Sequence, residues 1–418
     1  MNLLRLAFKS ARFRRTSLLL TVVSIAISVT LLLGVNKVNK QAKSSLLNTV
    51  SETDLIVGAR SGPTNLLLYS VFRIGNATNN VSWETYEDLA DMDEVAWTVP
   101  ISLGDSHKGF RVMGTTTDYF EYYRYGNKEQ INFDEGDRFT EVYDTVIGAD
   151  VAKKLGYKVG DKIILSHGLV SANFAEHDDK PFTVVGILNK TGTPIDQTVH
   201  VSLAGIEAIH IDWKDGARSS VPLNAEQALK FDLTPTSITA FMVGLENRAF
   251  TFRVQREINE YNNEPMSAII PGATLAEFWK TISTIEQVLF VISGFVLISG
   301  LLGMLTTILS TLNERRREIA VLRAIGARAV HIIQLILLET LIVVIAGCFL
   351  GIAMIYGLLI VARPLIVDRL GVDLAFSWLD SEQLLIVGGV IIGAALVGLI
   401  PAVIAYRRSI QDGLALKV

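Results

Sequence analysis

Residues 288–327 read VLFVISGFVLISGLLGMLTTILSTLNERRREIAVLRAIGA. The opening part, 288–309, holds no charged residue. A helix needs about 20 apolar residues to cross the hydrocarbon core of a bilayer, so 288–309 reads as a transmembrane span. Directly after it come Arg315, Arg316, Arg317, Arg323 and Arg328. Short loops rich in Lys and Arg stay on the cytoplasmic side. That places this loop in the cytoplasm and the segment before the span outside.

Three more stretches meet the same length rule: 17–35, 332–361 and 384–405. The third span in chain order is longer than a perpendicular crossing needs, and is expected to tilt or to run past the membrane surface. An even number of spans puts both termini on one side. Arg5, Lys9, Arg12, Arg14 and Arg15 precede the first span, and Arg407, Arg408 and Lys417 follow the last. Both ends are therefore expected in the cytoplasm, with 406–418 as a short tail. The loop 362–383 mixes Arg363 and Arg369 with Asp368, Asp373, Asp380 and Glu382, and is assigned to the outside. A cleaved signal peptide is the rival reading of the first span. The stretch is long for that, and Gly34-Val35-Asn36-Lys37 offers no clean small-x-small site. Within 1–16, Leu3, Leu4, Leu6, Ala7 and Phe8 alternate with basic residues, which suits a short helix lying in the membrane interface.

Composition agrees. Of 418 residues, 50% are hydrophobic and only 19% charged, against about 25% charged in a soluble chain. The apolar excess sits in the four spans, whereas 36–280 reads as an ordinary folded domain. A net charge of −4 gives no basic field for nucleic acid. The single cysteine, Cys348, excludes an intrachain disulfide and a Cys-based metal site. The outer domain must rely on its own core, for which about 245 residues are ample.

That domain is expected to begin and end in stalk helices, 36–52 and 274–287. The run 274–313 contains no Pro; as one helix it would be about 60 Å long. Between the stalks, a helix is predicted over 83–90 with Ser82 as N-cap, and another over 149–155 ending at Gly156. Strands are predicted at 95–103, 110–113, 162–165, 182–188, 199–203, 237–245 and 266–270, with a helix over 249–261. The reading is an α/β part (53–125 and 237–272) interrupted by a β-rich insertion (126–236), with 212–236 the least structured stretch. The fold class is an α-helical membrane protein with four transmembrane helices plus a large mixed α/β extracytoplasmic domain.

The cytoplasmic loop 313–329 carries more than charge. Asn313 can cap a helix and Gly326 can end one. Ile319, Leu322 and Ile325 fall on one side, and a solvated basic loop does not explain that apolar stripe. Here the chain resembles a family. The segment ERRREIAVLRAIGA is similar to the loop of FtsX-like permeases, the superfamily of the macrolide exporter MacB and the lipoprotein-releasing complex. VIGADVAKKLGYKVGD at 146–161, followed by FTVVGIL at 182–188, resembles that family's exported domain. The tail PAVIAYRRSIQDGLAL resembles its ending, although Ser409-Ile410 departs from the usual Pro-containing turn.

The resemblance implies that the loop is a coupling helix docking on an ABC-type ATPase, with Glu314, Arg317, Glu318, Leu322, Arg323 and Gly326 at the docking surface. It implies two permease chains per complex, identical or paralogous, working by mechanotransmission at the cytoplasmic (inner) membrane. A periplasmic adaptor or substrate protein is a further implied partner, along with membrane lipid. No G-x-x-x-x-G-K-[ST] phosphate loop occurs, so ATP and Mg are expected in a separate ATPase, and no cofactor in this chain. The alternative from the same family is an FtsX-like regulator or scaffold that controls a periplasmic enzyme without transport. The resemblance is specific for the family and not for cargo: lipoprotein, lipid, peptide, antibiotic and metal-linked substrates all stay open.

Other candidates are judged residue by residue. Glu339 is an ionisable group in the third span, about 10–12 Å along the helix from Ile332; it reads as a packing group or a relay. Gly347 with Gly351, and Gly389 with Gly393, have the spacing that lets helices approach closely. Pro401 is expected to bend or end the fourth span. His107, His167, His177, His200 and His210 are scattered through the outer domain and read as surface groups. His177-Asp178-Asp179 could ligate a metal, but no tight H-x-x-x-H spacing occurs, so none is assigned. With no G-x-S-x-G or H-E-x-x-H motif, no catalytic residue is assigned and the chain is not expected to be an enzyme.

Overall fold

The computed structural model describes residues 15–47, 49–167, 177–214, 217–218, 223–314, 319, 321, 326–370 and 378–414. The chain begins with helix α1 (Arg15–Leu47), strand β1 (Leu55–Ala59), α2 (Pro63–Ser70) and α3 (Trp83–Ala90). Strands β2 (Val95–His107), β3 (Phe110–Thr115), β4 (Phe133–Gly136) and β5 (Asp144–Ile147) lead to α4 (Ala149–Leu155). Then come β6 (Lys162–Ile163), β7 (Ser166–His167), β8 (Phe182–Leu188), β9 (Thr198–Ser202) and α5 (Leu203–His210). Next are β10 (Ala240–Leu245), α6 (Thr251–Asn259) and β11 (Met266–Ile269). Three long helices follow: α7 (Pro271–Glu314), α8 (Ala329–Leu370) and α9 (Ser381–Leu414). The contacts divide the chain into a helical unit (1–41, 282–365, 374–418) and an α/β unit (42–281, 366–373).

The α/β unit is organised by one sheet, in the order β11-β1-β10-β2-β3-β9-β5-β8-β4, with β7 added on β2 and β6 on β8. β1 pairs antiparallel with both β10 and β11. Its sequence LIVGA is buried at every position, as a strand covered on both faces requires. Ile56 faces a core with Leu66 and Leu67 of α2. Leu55 and Val57 face another with Val254 and Ile258 of α6. A further core lies between the sheet and helices α4 and α5, built from Val151, Phe182, Val199, Ile206 and Ile209.

The strands assigned to a separate insertion, 126–236, belong to this same sheet. β9 pairs in parallel with β3, from Thr198 opposite Arg111 to Ser202 opposite Thr115. An edge strand left open is a site for unwanted pairing, and β9 closes that edge of β3. The stretch 212–236 also contains structure: a small hairpin, Trp213–Lys214 with Ala217–Arg218, and a turn of helix, Ala225–Ala228, capped reciprocally by Asn224 and Gln227. The predicted helix ends are found in place. The Ser82 side chain accepts from the Thr85 N–H at the start of α3, and Gly156 ends α4 at φ 73°.

Among the described residues, four helices are long and apolar enough to cross a membrane: Thr16–Gln41, Pro271–Leu312, Val330–Ala362 and Ser381–Arg407. Hydroxyls within them bond to carbonyls of the preceding turn, as Thr21 does to Ser17 (3.0 Å) and Thr30 to Ala26 (2.7 Å). α7 runs unbroken over 44 residues. Pro401 lies inside α9, which continues to Leu414, so this proline does not end the span.

α1 packs against two neighbours. A Cβ on Gly347 of α8 would lie 2.7 Å from Ile25, and one on Gly351 would lie 2.8 Å from the Ala26 carbonyl. Thr30 Oγ1 reaches the Gly351 carbonyl at 3.0 Å. On the α7 side, Ser28 Oγ donates to the Val296 carbonyl at 3.3 Å. Gly389 and Gly393 do not share this role: a Cβ at either meets nothing within 4 Å. The α9 glycine that touches α8 is Gly398, 2.8 Å from Thr340 when given a Cβ. Beyond the apolar stretch, Lys37 stacks over the Tyr356 ring at 4.4 Å, and Lys40 pairs with Asp380 (2.8 Å) and Glu382 (2.7 Å).

Two substitutions test this packing, each read as thermal unfolding of the purified full chain in detergent. Gly351→Leu drives a side chain into α1 and is expected to cost about 1–3 kcal/mol; Gly389→Leu, facing open space, should leave the transition where it is. Equal effects of the two would contradict the α1–α8 contact. Ser82→Ala removes both the α3 cap and the hydroxyl that donates to Glu264 at 2.8 Å, and should destabilise the α/β unit by about 1 kcal/mol.

Candidate functional site

The predicted docking residues fall in two groups. Glu314 closes α7, and Gly326 adopts φ 94°, the left-handed conformation that a glycine supplies without strain. Arg317, Glu318, Leu322 and Arg323 lie outside the described residues. Ile319, the first residue of the apolar stripe, packs against Leu312, Ile332, Ile336, Ala402 and Ala405. Its partner is therefore the chain's own bundle. Glu339 is only 8% exposed; it sits on α8 beside Thr340, at the contact with Gly398. Gly347 and Gly351 form the α1 contact described above.

Three of the five outer-domain histidines are not surface groups, while His167 is exposed and His210 half-buried. His107, His177 and His200 are buried. His107 is engaged by the Ile164 carbonyl at 2.6 Å and the Tyr157 hydroxyl at 2.9 Å. His200 stacks on Tyr119, and burial pulls its imidazole down to about 3, so it stays neutral within the core. Both have packing roles.

The other three histidines converge. β7 pairs with β2 so that His167 lies directly opposite Asp105. α5 ends at His210, which reaches back over the same place. His177 lies just before β8, its N–H bonded to the Leu165 carbonyl (3.0 Å) and its carbonyl accepting from the Lys180 N–H (3.2 Å). Asp105 Oδ1 lies 3.0 Å from His167 Nδ1 and 3.6 Å from His210 Nε2. The two imidazole nitrogens are 3.3 Å apart. With one nitrogen of His177, all four donor atoms lie within 4.8 Å of one another. The carboxylate beside these histidines is Asp105, and Asp178, which follows His177 in sequence, is exposed.

Electrostatics follow from this geometry. Burial would raise the Asp105 carboxyl, but hydrogen bonds from His167 and His210 outweigh it and hold it well below the usual range. Burial works against the charged form of His210, yet the bond to Asp105 raises it overall. His177 is pulled down to about 4, first by burial and then by its two histidine neighbours. It is fully buried, and neither ring nitrogen has a hydrogen-bond partner among the described residues. Trp213 closes one side, its ring 5.0 Å from that of His167 and 5.1 Å from that of His177. The sequence carries no local signal for this cluster, because residues 105, 167, 177 and 210 meet only through the β2–β7 pairing and the placement of α5.

Comparison with known proteins covers both units. Residues 18–261 match the family model of the MacB-like periplasmic core domain, and residues 290–410 that of the FtsX-like permease C-terminal region. The chain is 21% identical over 378 residues to the macrolide export ATP-binding/permease protein MacB of Wolinella succinogenes, covering 90% of this chain and 55% of that protein. It is 29% identical over 246 residues to the pyoverdine export ATP-binding/permease protein PvdT of Pseudomonas fluorescens, covering 58% and 34% respectively. The chain thus spans about half the length, or less, of these curated relatives. Among solved structures it is similar to the periplasmic region of MacB from Actinobacillus actinomycetemcomitans, at 10% identity and a TM-score of 0.35, covering 56% of this chain and 94% of that one.

Proposed function

Since this chain belongs to the MacB-like ABC transporter permease family, with a periplasmic core domain and an FtsX-like permease region, we propose that it is a transporter subunit that works by mechanotransmission. A separate ABC-type ATPase, holding ATP and Mg, docks on the loop 313–329. A second permease chain completes the complex. Both termini lie in the cytoplasm and the α/β unit lies outside. ATP-driven closure of the ATPase moves the loop, and with it α7; the α/β unit then expels or hands on a substrate at the outer side.

The observation that carries this reading is the placement of the loop. Its sequence, ERRREIAVLRAIGA, follows α7 directly, and α7 is one unbroken helix from Pro271 to Glu314. A force applied at residue 314 therefore enters an element without a hinge. α1 shares that motion through the Ser28–Val296 bond and is clamped to α8 at Gly347 and Gly351. Such coupling needs two states that nucleotide binding weights differently, and the helix pair α1–α7 is the element assigned to them. Few charges lie within the spans, which favours action at the outer face over an aqueous path through the bundle.

The test is affinity purification of the tagged full chain in mild detergent, with an Arg323→Glu, Leu322→Asp variant in parallel. An ABC-type ATPase should accompany the wild type and be lost, by at least about tenfold, from the variant, as expected when a desolvated contact is replaced by charge repulsion. Equal recovery from both would remove the loop from the docking surface. Absence of any ATPase from the wild type, with a periplasmic hydrolase in its place, would convert the reading to that of a regulator.

A further inference from the structure

We propose that Asp105, His167, His177 and His210 form a binding site for one zinc ion in the α/β unit. The donor set is three imidazole nitrogens and one carboxylate oxygen. Calcium and magnesium favour all-oxygen cages, and copper(I) favours thiolate or thioether sulfur. Imidazole with carboxylate suits a borderline divalent ion, and four such donors suit tetrahedral zinc.

The distances agree with that geometry. Zinc–nitrogen bonds of about 2.0–2.1 Å place the corners of a tetrahedron roughly 3.3 Å apart. The three edges among Asp105 Oδ1, His167 Nδ1 and His210 Nε2 measure 3.0, 3.6 and 3.3 Å. The fourth corner is His177, whose donor atom lies no more than 4.8 Å from any of the others. A ring displacement of at most about 1.5–2 Å closes the polyhedron on bonds of that length.

A simpler account, an ion-paired His–Asp–His group, leaves His177 unexplained and Asp105 Oδ1 without a well-formed hydrogen bond among the described residues. His177 is fully buried, its backbone is held at both ends, and both ring nitrogens are without hydrogen-bond partners among the described residues. Buried polar atoms are nearly always partnered, and an unpartnered imidazole aimed at two histidines and a carboxylate is the arrangement a metal resolves. His167 keeps 35% of its side chain exposed, which gives the ion a way in from solvent. The four ligands come from β2, β7, the segment before β8, and the end of α5, so the ion would tie four parts of the unit together.

The experiment uses the full chain in detergent, purified on a histidine-free tag and stripped with a chelator, then titrated with zinc alone against a chromophoric competitor. Wild type should take up one equivalent per chain. His177→Ala and His210→Ala should each bind at least about 100-fold more weakly, the upper end of what loss of a mere supporting residue costs. Asp178→Asn, outside the cluster, should bind as wild type does. Cobalt(II) in place of zinc should give the intense visible absorption of a tetrahedral site in wild type and lose it in His177→Ala. Thermal unfolding separates folding from binding: metal-free variants should melt like metal-free wild type, and zinc should raise the transition only where the site is intact. Zinc uptake below one equivalent in wild type would overturn the proposal. So would equal affinity in wild type and both histidine variants, or a loss in Asp178→Asn matching that in His177→Ala. The readout is metal alone, so failure here leaves the ATPase-docking reading untouched.

Discussion

A peptide group in hydrocarbon has no water to bond, so a segment crossing a bilayer must satisfy its N–H and C=O groups from within. Much of the helical unit follows from that constraint. The apolar stretches become helices, and the hydroxyls of Thr21, Ser28 and Thr30 turn back to carbonyls of their own helix. Ser28 and Thr30 also reach a carbonyl on a neighbour, Val296 and Gly351 respectively. These shared acceptors are possible only where helices approach closely, and Gly300, Gly347 and Gly351 supply the space on the helices facing α1. Small residues and bifurcated hydroxyl contacts thus act together, since lipid offers no hydrophobic drive to hold helix against helix.

The α/β unit obeys the opposite solvent. There, burial of apolar surface is the main driving force, and β1 shows its extreme, with every residue buried between two cores. The polar cluster near Asp105 stands out against that background. Asp105 and His177 are removed from water in a region otherwise stabilised by excluding it, and such placements are the ones that ordinarily need a ligand or a partner.

Sequence patterns made the local features readable and the long-range ones not. Four apolar runs located the spans, since a length requirement near 20 residues is hard to meet by chance. Ser82 and Gly156 marked helix ends because capping chemistry is local. Gly347 and Gly351 lie close against α1, yet a Cβ at Gly389 or Gly393, which have the same spacing, would meet nothing within 4 Å. A four-residue interval says that a face is smooth, not what lies opposite it. The parallel pairing of β3 with β9 was equally hidden, so strands expected in an insertion between the two halves of the α/β part join its sheet. The histidine cluster lay beyond sequence reading for the same reason: its members share neither an element nor an interval.

The position of β1 bears on how the chain is made. Its two sheet partners, β10 and β11, are the last strands before α7. Loop-closure cost is met before such distant pairings return any energy, and folds dominated by them form slowly. The first strand of the α/β unit therefore stays unpaired until nearly the whole unit has been synthesised and α7 is next in line. Topology orders the folding of this unit in time: that end of the sheet, β11-β1-β10, closes only when the segment leading into the second long helix is present.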